Sequence, residues 1–93
     1  MKPEKLQLTV NFIKHGRQVV AYSPALDIST VGKTEKKAKE RFEELVDIFF
    51  EEIAEEGTTE QALKELGWRK VKKHWQPPAV SQESVDVNVS MPA

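Results

Sequence analysis

Few residues of this chain are of types that do chemistry, and their spacing supports none. His15 and His74 are the only histidines, and neither has a carboxylate or a second histidine at the spacing of a metal site. There is no cysteine, so thiolate zinc sites and disulfides are both ruled out. Ser23, Ser29 and Thr30 stand outside any nucleophile elbow, and no glycine-rich phosphate loop is present. Gly32-Lys33-Thr34 matches only the end of a Walker motif and lacks the glycine required upstream. Asp27 lies beside a strand, where a metal-dependent nuclease would keep an acid. Two-metal chemistry needs several converging carboxylates, however, and a lone aspartate at such a place ordinarily caps a turn. The expectation is a protein with no catalytic residue, no metal and no cofactor, and not an enzyme.

What remains is charge on surfaces. Glu40, Glu44, Asp47, Glu51 and Glu55 recur at steps of three and four, with Ile48 on their flank. That run is either a solvated helix face or an acidic surface that docks a basic partner, with Glu44, Asp47 and Glu51 as its charges and Ile48 as an apolar anchor. Arg69, Lys70, Lys72 and Lys73 lie between Trp68 and Trp75. Basic residues interleaved with aromatics suit single-stranded nucleic acid, but a net charge of −1 over the chain and the use of Trp68 as core weigh against it.

These faces need elements to carry them. The longest is a helix opened by Thr34, whose hydroxyl can cap a first-turn N–H, with Glu35 at the positive end of the dipole. Ala38, Phe42, Leu45, Val46, Phe49 and Ile53 form one apolar stripe that must be buried, and Gly57 closes the helix. Upstream, Leu6, Leu8, Val10 and Phe12 alternate with polar residues as one face of a strand. His15-Gly16 is the expected hairpin turn, and Arg17 to Tyr22 reads as a central strand covered on both sides. Ser23-Pro24 ends that strand, and Asp27 to Val31 supplies a third. Downstream, Thr58 and Gln61 have the spacing of a capping box before a short helix with Ala62, Leu63 and Leu66 inward, stopped by Gly67. Trp68 to Trp75 reads as one lysine-rich edge strand.

The fold class expected is therefore α+β: a three-stranded antiparallel meander, a long helix on the sheet, a second short helix and a further edge strand. With 93 residues, of which 39% are hydrophobic and 31% charged, one modest core is affordable. The folded part should span 1–76. Gln76-Pro77-Pro78 has hinge composition, and 77–93 forms a tail. Within it Val85, Val87 and Val89 alternate with Asp86 and Asn88 across Ser84 to Ser90, a strand for pairing with another chain or a frayed end. No apolar run reaches the roughly 20 residues that span a bilayer, and the N-terminus lacks a signal-peptide hydrophobic region. The simplest expectation is a cytoplasmic protein that forms a homodimer or higher oligomer.

The run from Val20 to Glu52, VAYSPALDISTVGKTEKKAKERFEELVDIFFEE, resembles the HicB antitoxin family. Members share a tract A-Y-x-P-x-L followed by G-x-T just before a helix, and Ala21, Tyr22, Pro24, Leu26, Gly32, Thr34 and Ala38 stand where that pattern wants them. Leu66-Gly67-Trp68 and the late proline-then-valine tail are similar to short members. The resemblance implies a partial RNase H-like fold without the nuclease acids. It also implies a partner: a small basic HicA-type toxin, an RNA-cleaving protein whose active histidine the antitoxin obstructs. Many members carry a C-terminal DNA-binding domain, and nothing of that pattern follows Trp75, so operator binding by this chain alone is not expected. A stand-alone interaction module with no toxin partner is the alternative.

Overall fold

The computed structural model describes residues 4–92. Three strands, β1 (Asn11–His15), β2 (Gln18–Ser23) and β3 (Ile28–Gly32), make an antiparallel sheet in the order β1-β2-β3. Helix α1 (Glu35–Glu55) packs on one face, and a short helix α2 (Thr59–Glu65) follows. A separate two-stranded hairpin, β4 (Arg69–Val71) with β5 (His74–Gln76), completes the regular structure. The α+β meander-and-helix architecture is the one expected. The last element is a hairpin of its own rather than one strand on the main sheet.

Register explains which residues face α1. Phe12, Ala21 and Thr30 are cross-strand partners, as are Lys14, Val19 and Gly32; paired residues share a face of the sheet. Ala21 is fully buried with Ala38 and Phe42 of α1, so this set is the helix side. A second cluster joins Ala25 and Leu26 of the β2–β3 corner to Ile53, Leu63 and Trp68. Trp68 closes it twice, through its buried ring and through its indole N–H, which donates to the Ala25 carbonyl at 2.8 Å. At the corner the Tyr22 hydroxyl donates to Asp27 Oδ1 at 3.1 Å. Asp27 itself sits at φ 54, a left-handed conformation that short polar side chains tolerate.

Helix α1 begins and ends as its sequence requires. The Thr34 hydroxyl accepts the Lys37 N–H at 3.1 Å. At the other end Gly57 adopts φ 71, with Gly57 N–H donating to Ala54 and Thr58 N–H to Ile53; this is the Schellman arrangement. Gly32 is set by packing rather than by φ: a Cβ there would lie 2.8 Å from Ala38 Cα and against Ala38 N. Only glycine lets the first turn of α1 come this close to β3.

Several boundaries differ from the sequence reading, each for a physical reason. Residues 4–10 keep the expected alternation, with Leu6, Leu8 and Val10 half-buried, but pairing starts only at Asn11. The ladder stops there because β2 turns away at Pro24, which has no N–H to offer. The hairpin loop is Gly16-Arg17, one residue later than expected, because His15 still pairs with Gln18 and Gly16 takes φ 63. The central strand is covered on one side only. On the other face Ile13, Val20 and Val31 form a cross-strand row, with Ile13 51% exposed. The capping box at Thr58 does not form. Thr58 already serves as the residue that ends α1, its side chain caps nothing, and Gln61 instead donates to Glu65. Ser84 to Ser90 joins no ladder, and no regular element lies within 77–92.

Candidate interaction surface

The family-like motif turns out to be architecture. Ala21 and Ala38 are small because sheet and helix meet there with both fully buried. Gly32 and Thr34 set the approach and the cap, Leu26 is core, Pro24 is half-buried at the corner, and Tyr22 braces Asp27. The motif builds a platform and presents no reactive group.

On that platform α1 shows its outer side. Glu44, Asp47 and Glu51 are exposed, and Ile48 beside them is 48% exposed. Among the described residues the ion pairs are Lys37 with Glu40, Lys64 with Glu60 and His74 with Glu4. The three acids of this ridge are therefore uncompensated, and their field points into solvent, where it attracts cations at a range of about 8–10 Å. The lysines of the same helix, Lys36, Lys37 and Lys39, lie towards its start, and the charge along α1 is thus polarised from mixed to acidic.

Next to the ridge runs a feature that the acidic pattern alone does not show. A groove of about 1490 Å3 lies between residues 4–12 and α1. Leu6, Leu8, Val10 and Phe12 form one wall, Phe42, Val46 and Phe50 the other, and Trp75 and Leu63 close the end. Asp47 and Glu51 stand on its lip. The signal for it was present in Phe50 and Ala54, which widen the apolar stripe of α1 beyond what one packed sheet face would cover.

The remaining candidates are dispersed. Val85, Val87 and Val89 are 66%, 72% and 67% exposed along the tail, far from the acidic ridge in sequence. His74 meets a carboxylate after all, with Nδ1 2.9 Å from Glu4 Oε1 across 70 residues, but as an exposed pair that pins β5 to the N-terminal segment. Among the described residues no three His, Cys, Asp or Glu side chains gather as metal ligands would, and no helix is long and apolar enough to cross a membrane. Two groups titrate away from their ordinary values. The hydrogen bond to Asp27, then burial and the Asp27 charge, raise the Tyr22 hydroxyl. The hydrogen bond and charge of Lys64 lower Glu60. Both effects are local, Tyr22 being half-buried at the corner and Glu60 exposed on α2. No family model, curated protein or solved structure matches this chain.

The arrangement can therefore do one thing well at this face: present an acidic ridge and an adjoining apolar groove to a macromolecule.

Proposed function

We propose that this chain is a HicB-like antitoxin that neutralises a HicA-type, RNA-cleaving toxin by covering it. The observation that carries the reading is the uncompensated ridge of Glu44, Asp47 and Glu51 with Ile48 at its flank. A protein that cuts RNA must offer a basic face to phosphates. An acidic ridge held on a rigid helix competes for that face, and the exposed isoleucine supplies the desolvated contact that charge pairs alone do not. The motif from Ala21 to Ala38 supports the same family because its residues serve the close helix-on-sheet packing around which the domain is built.

The test is to replace Glu44, Asp47 and Glu51 by lysine and measure binding to the product of the adjacent reading frame. The three positions are exposed, so the fold should persist. Affinity should fall at least tenfold, through a slower association rate and with a flattened salt dependence. Wild-type affinity in the triple variant would remove this ridge from the interface. Failure of the neighbouring protein to bind the wild-type chain, with no rescue of growth on co-expression, would overturn the antitoxin reading itself.

A further inference from the structure

The groove between residues 4–12 and α1 is lined on one wall by chain that lacks backbone partners. Residues 4–9 enter no ladder and make no backbone–backbone hydrogen bond with the described chain, although Leu6 and Leu8 lie half-buried beside the cores. Extended backbone with apolar side chains already seated and its N–H and C=O groups free is the template for an added strand. On the far edge of the sheet the Val31 carbonyl is taken by Arg41 at 2.9 Å.

The tail has the complementary form. Val85, Val87, Val89 and Met91 occupy alternate positions in the sequence and are 66–78% exposed, and residues 83–92 make no backbone–backbone hydrogen bond either. Ten extended residues span about 33 Å, enough to run the length of residues 4–12. The tail does not reach its own groove. Gln82 donates to the Asn11 side chain, which shares the open face of the sheet with Tyr22, opposite to the helix side where the groove lies. Beyond Gln82 every described residue is exposed. The chain's radius of gyration is 16.2 Å, against about 12 Å for a compact domain of this length.

We propose that the groove is the seat of the tail of a second copy of this chain, and that two copies exchange tails reciprocally. Charge sets the register. Glu83 and Asp86 are the tail's only charges. Lys36 and Lys39, the groove's only cations among the described residues, line it towards the start of α1 and balance Glu35 and Glu43 there. Asp47 and Glu51 further along α1, and Glu4 at the opposite end of residues 4–12, have no lysine or arginine beside them in the lining. The tail therefore enters at Phe12 with its acids beside the lysines. Its uncharged part, Val87 onward, passes the acidic stretch, and Met91 reaches the end closed by Leu63 and Trp75. That direction is antiparallel to residues 6–12. Each exchange buries alternate valines and completes two free backbone edges, and the two-fold arrangement makes both copies identical. The proposal stands apart from the toxin-binding reading and holds with or without a toxin.

The experiment uses the full chain. Sedimentation equilibrium over a micromolar concentration series should give twice the chain mass of 10.6 kDa. Val87→Asp with Val89→Asp, at positions exposed in the single chain, should weaken the dimer at least a hundredfold while the thermal melt of the domain stays cooperative. Reversing Lys36 and Lys39 to glutamate should weaken it about tenfold, with recovery on adding Glu83→Lys and Asp86→Lys. In a mixture of isotope-labelled and unlabelled copies, filtered NOEs should link Val87 and Val89 methyls to those of Leu8 and Val10 between copies. A monomer throughout the series, a dimer indifferent to the tail variants, no recovery in the charge swap, or contacts only within one copy would each overturn it.

Discussion

Replacing Gly32 by alanine is the sharpest test of how this domain is assembled. The glycine has no need of unusual backbone angles, since its φ is not in the left-handed region. Its role is distance alone: an added methyl would lie 2.8 Å from Ala38 Cα and 2.8 Å from Lys37 C, inside van der Waals contact with backbone that cannot rotate away. Overpacking usually costs about 1–3 kcal/mol, and a clash with backbone belongs at the upper end, about 3 kcal/mol. For a domain of this size that lowers Tm by about 12–24 °C. Gly16→Ala is the paired control. Its Cβ would meet nothing within 4 Å, but its φ is 63, so it should cost about 1 kcal/mol of left-handed strain and about 4–8 °C. Circular-dichroism melts, supported by urea titrations with unchanged m-values, read both. If Gly32→Ala were no more costly than Gly16→Ala, helix α1 would not rest on β3 at the distance described, and the packing account of the Gly-x-Thr motif would fail.

The turn between β4 and β5 should be improvable, because Lys72 and Lys73 adopt φ 49 and 70 without the residues that favour them. Lys72→Asn with Lys73→Gly supplies the preferred hairpin pair and should raise stability by about 1 kcal/mol, or about 4–8 °C in Tm; an unchanged or lower Tm in calorimetry would contradict the turn geometry. Tyr22 is the only tyrosine, so a spectrophotometric titration of phenolate reads it alone. Its midpoint should lie above the usual tyrosine value near 10 and fall back in Asp27→Asn,. Because the folded value is raised, the contribution of this hydrogen bond is fully present below the free-tyrosine value and lost as pH rises through the raised one. A midpoint indifferent to Asp27→Asn would mean that the Tyr22–Asp27 contact does not form in solution.

The parts legible in the sequence are those with a local cause. The period of α1, its Thr34 cap and its Gly57 stop can each be read within one or two turns, and they stand where expected. The strand alternation from Leu6 to Phe12 also holds as a pattern of faces, but which of those residues pair depends on where β2 leaves at Pro24, and that is not local. The Lys72-Lys73 turn was hidden because nothing in two lysines announces positive φ. The Thr58 capping box failed because one threonine sits at the junction of two helices and the first helix claims its backbone. The groove was the largest omission. Its walls come from residues 4–12 and from Val46, Phe50 and Ala54, and only the fold shows that no other described residue lies over them. Trp68 as core was legible from its type; its carbonyl partner 43 residues away was not.

That long-range bond has a consequence for how the chain is made. The meander and α1 draw on neighbours close in sequence and can form as they leave the ribosome, at the rapid rates of local contacts. The corner at Ala25 and Leu26 stays without its lid until residue 68 has been synthesised and has folded back. Its oily side chains and bare carbonyl are open to proteases for that interval. Closure of this corner is thus timed by one indole ring, and in a Trp75→Phe chain the fluorescence of Trp68 should report it.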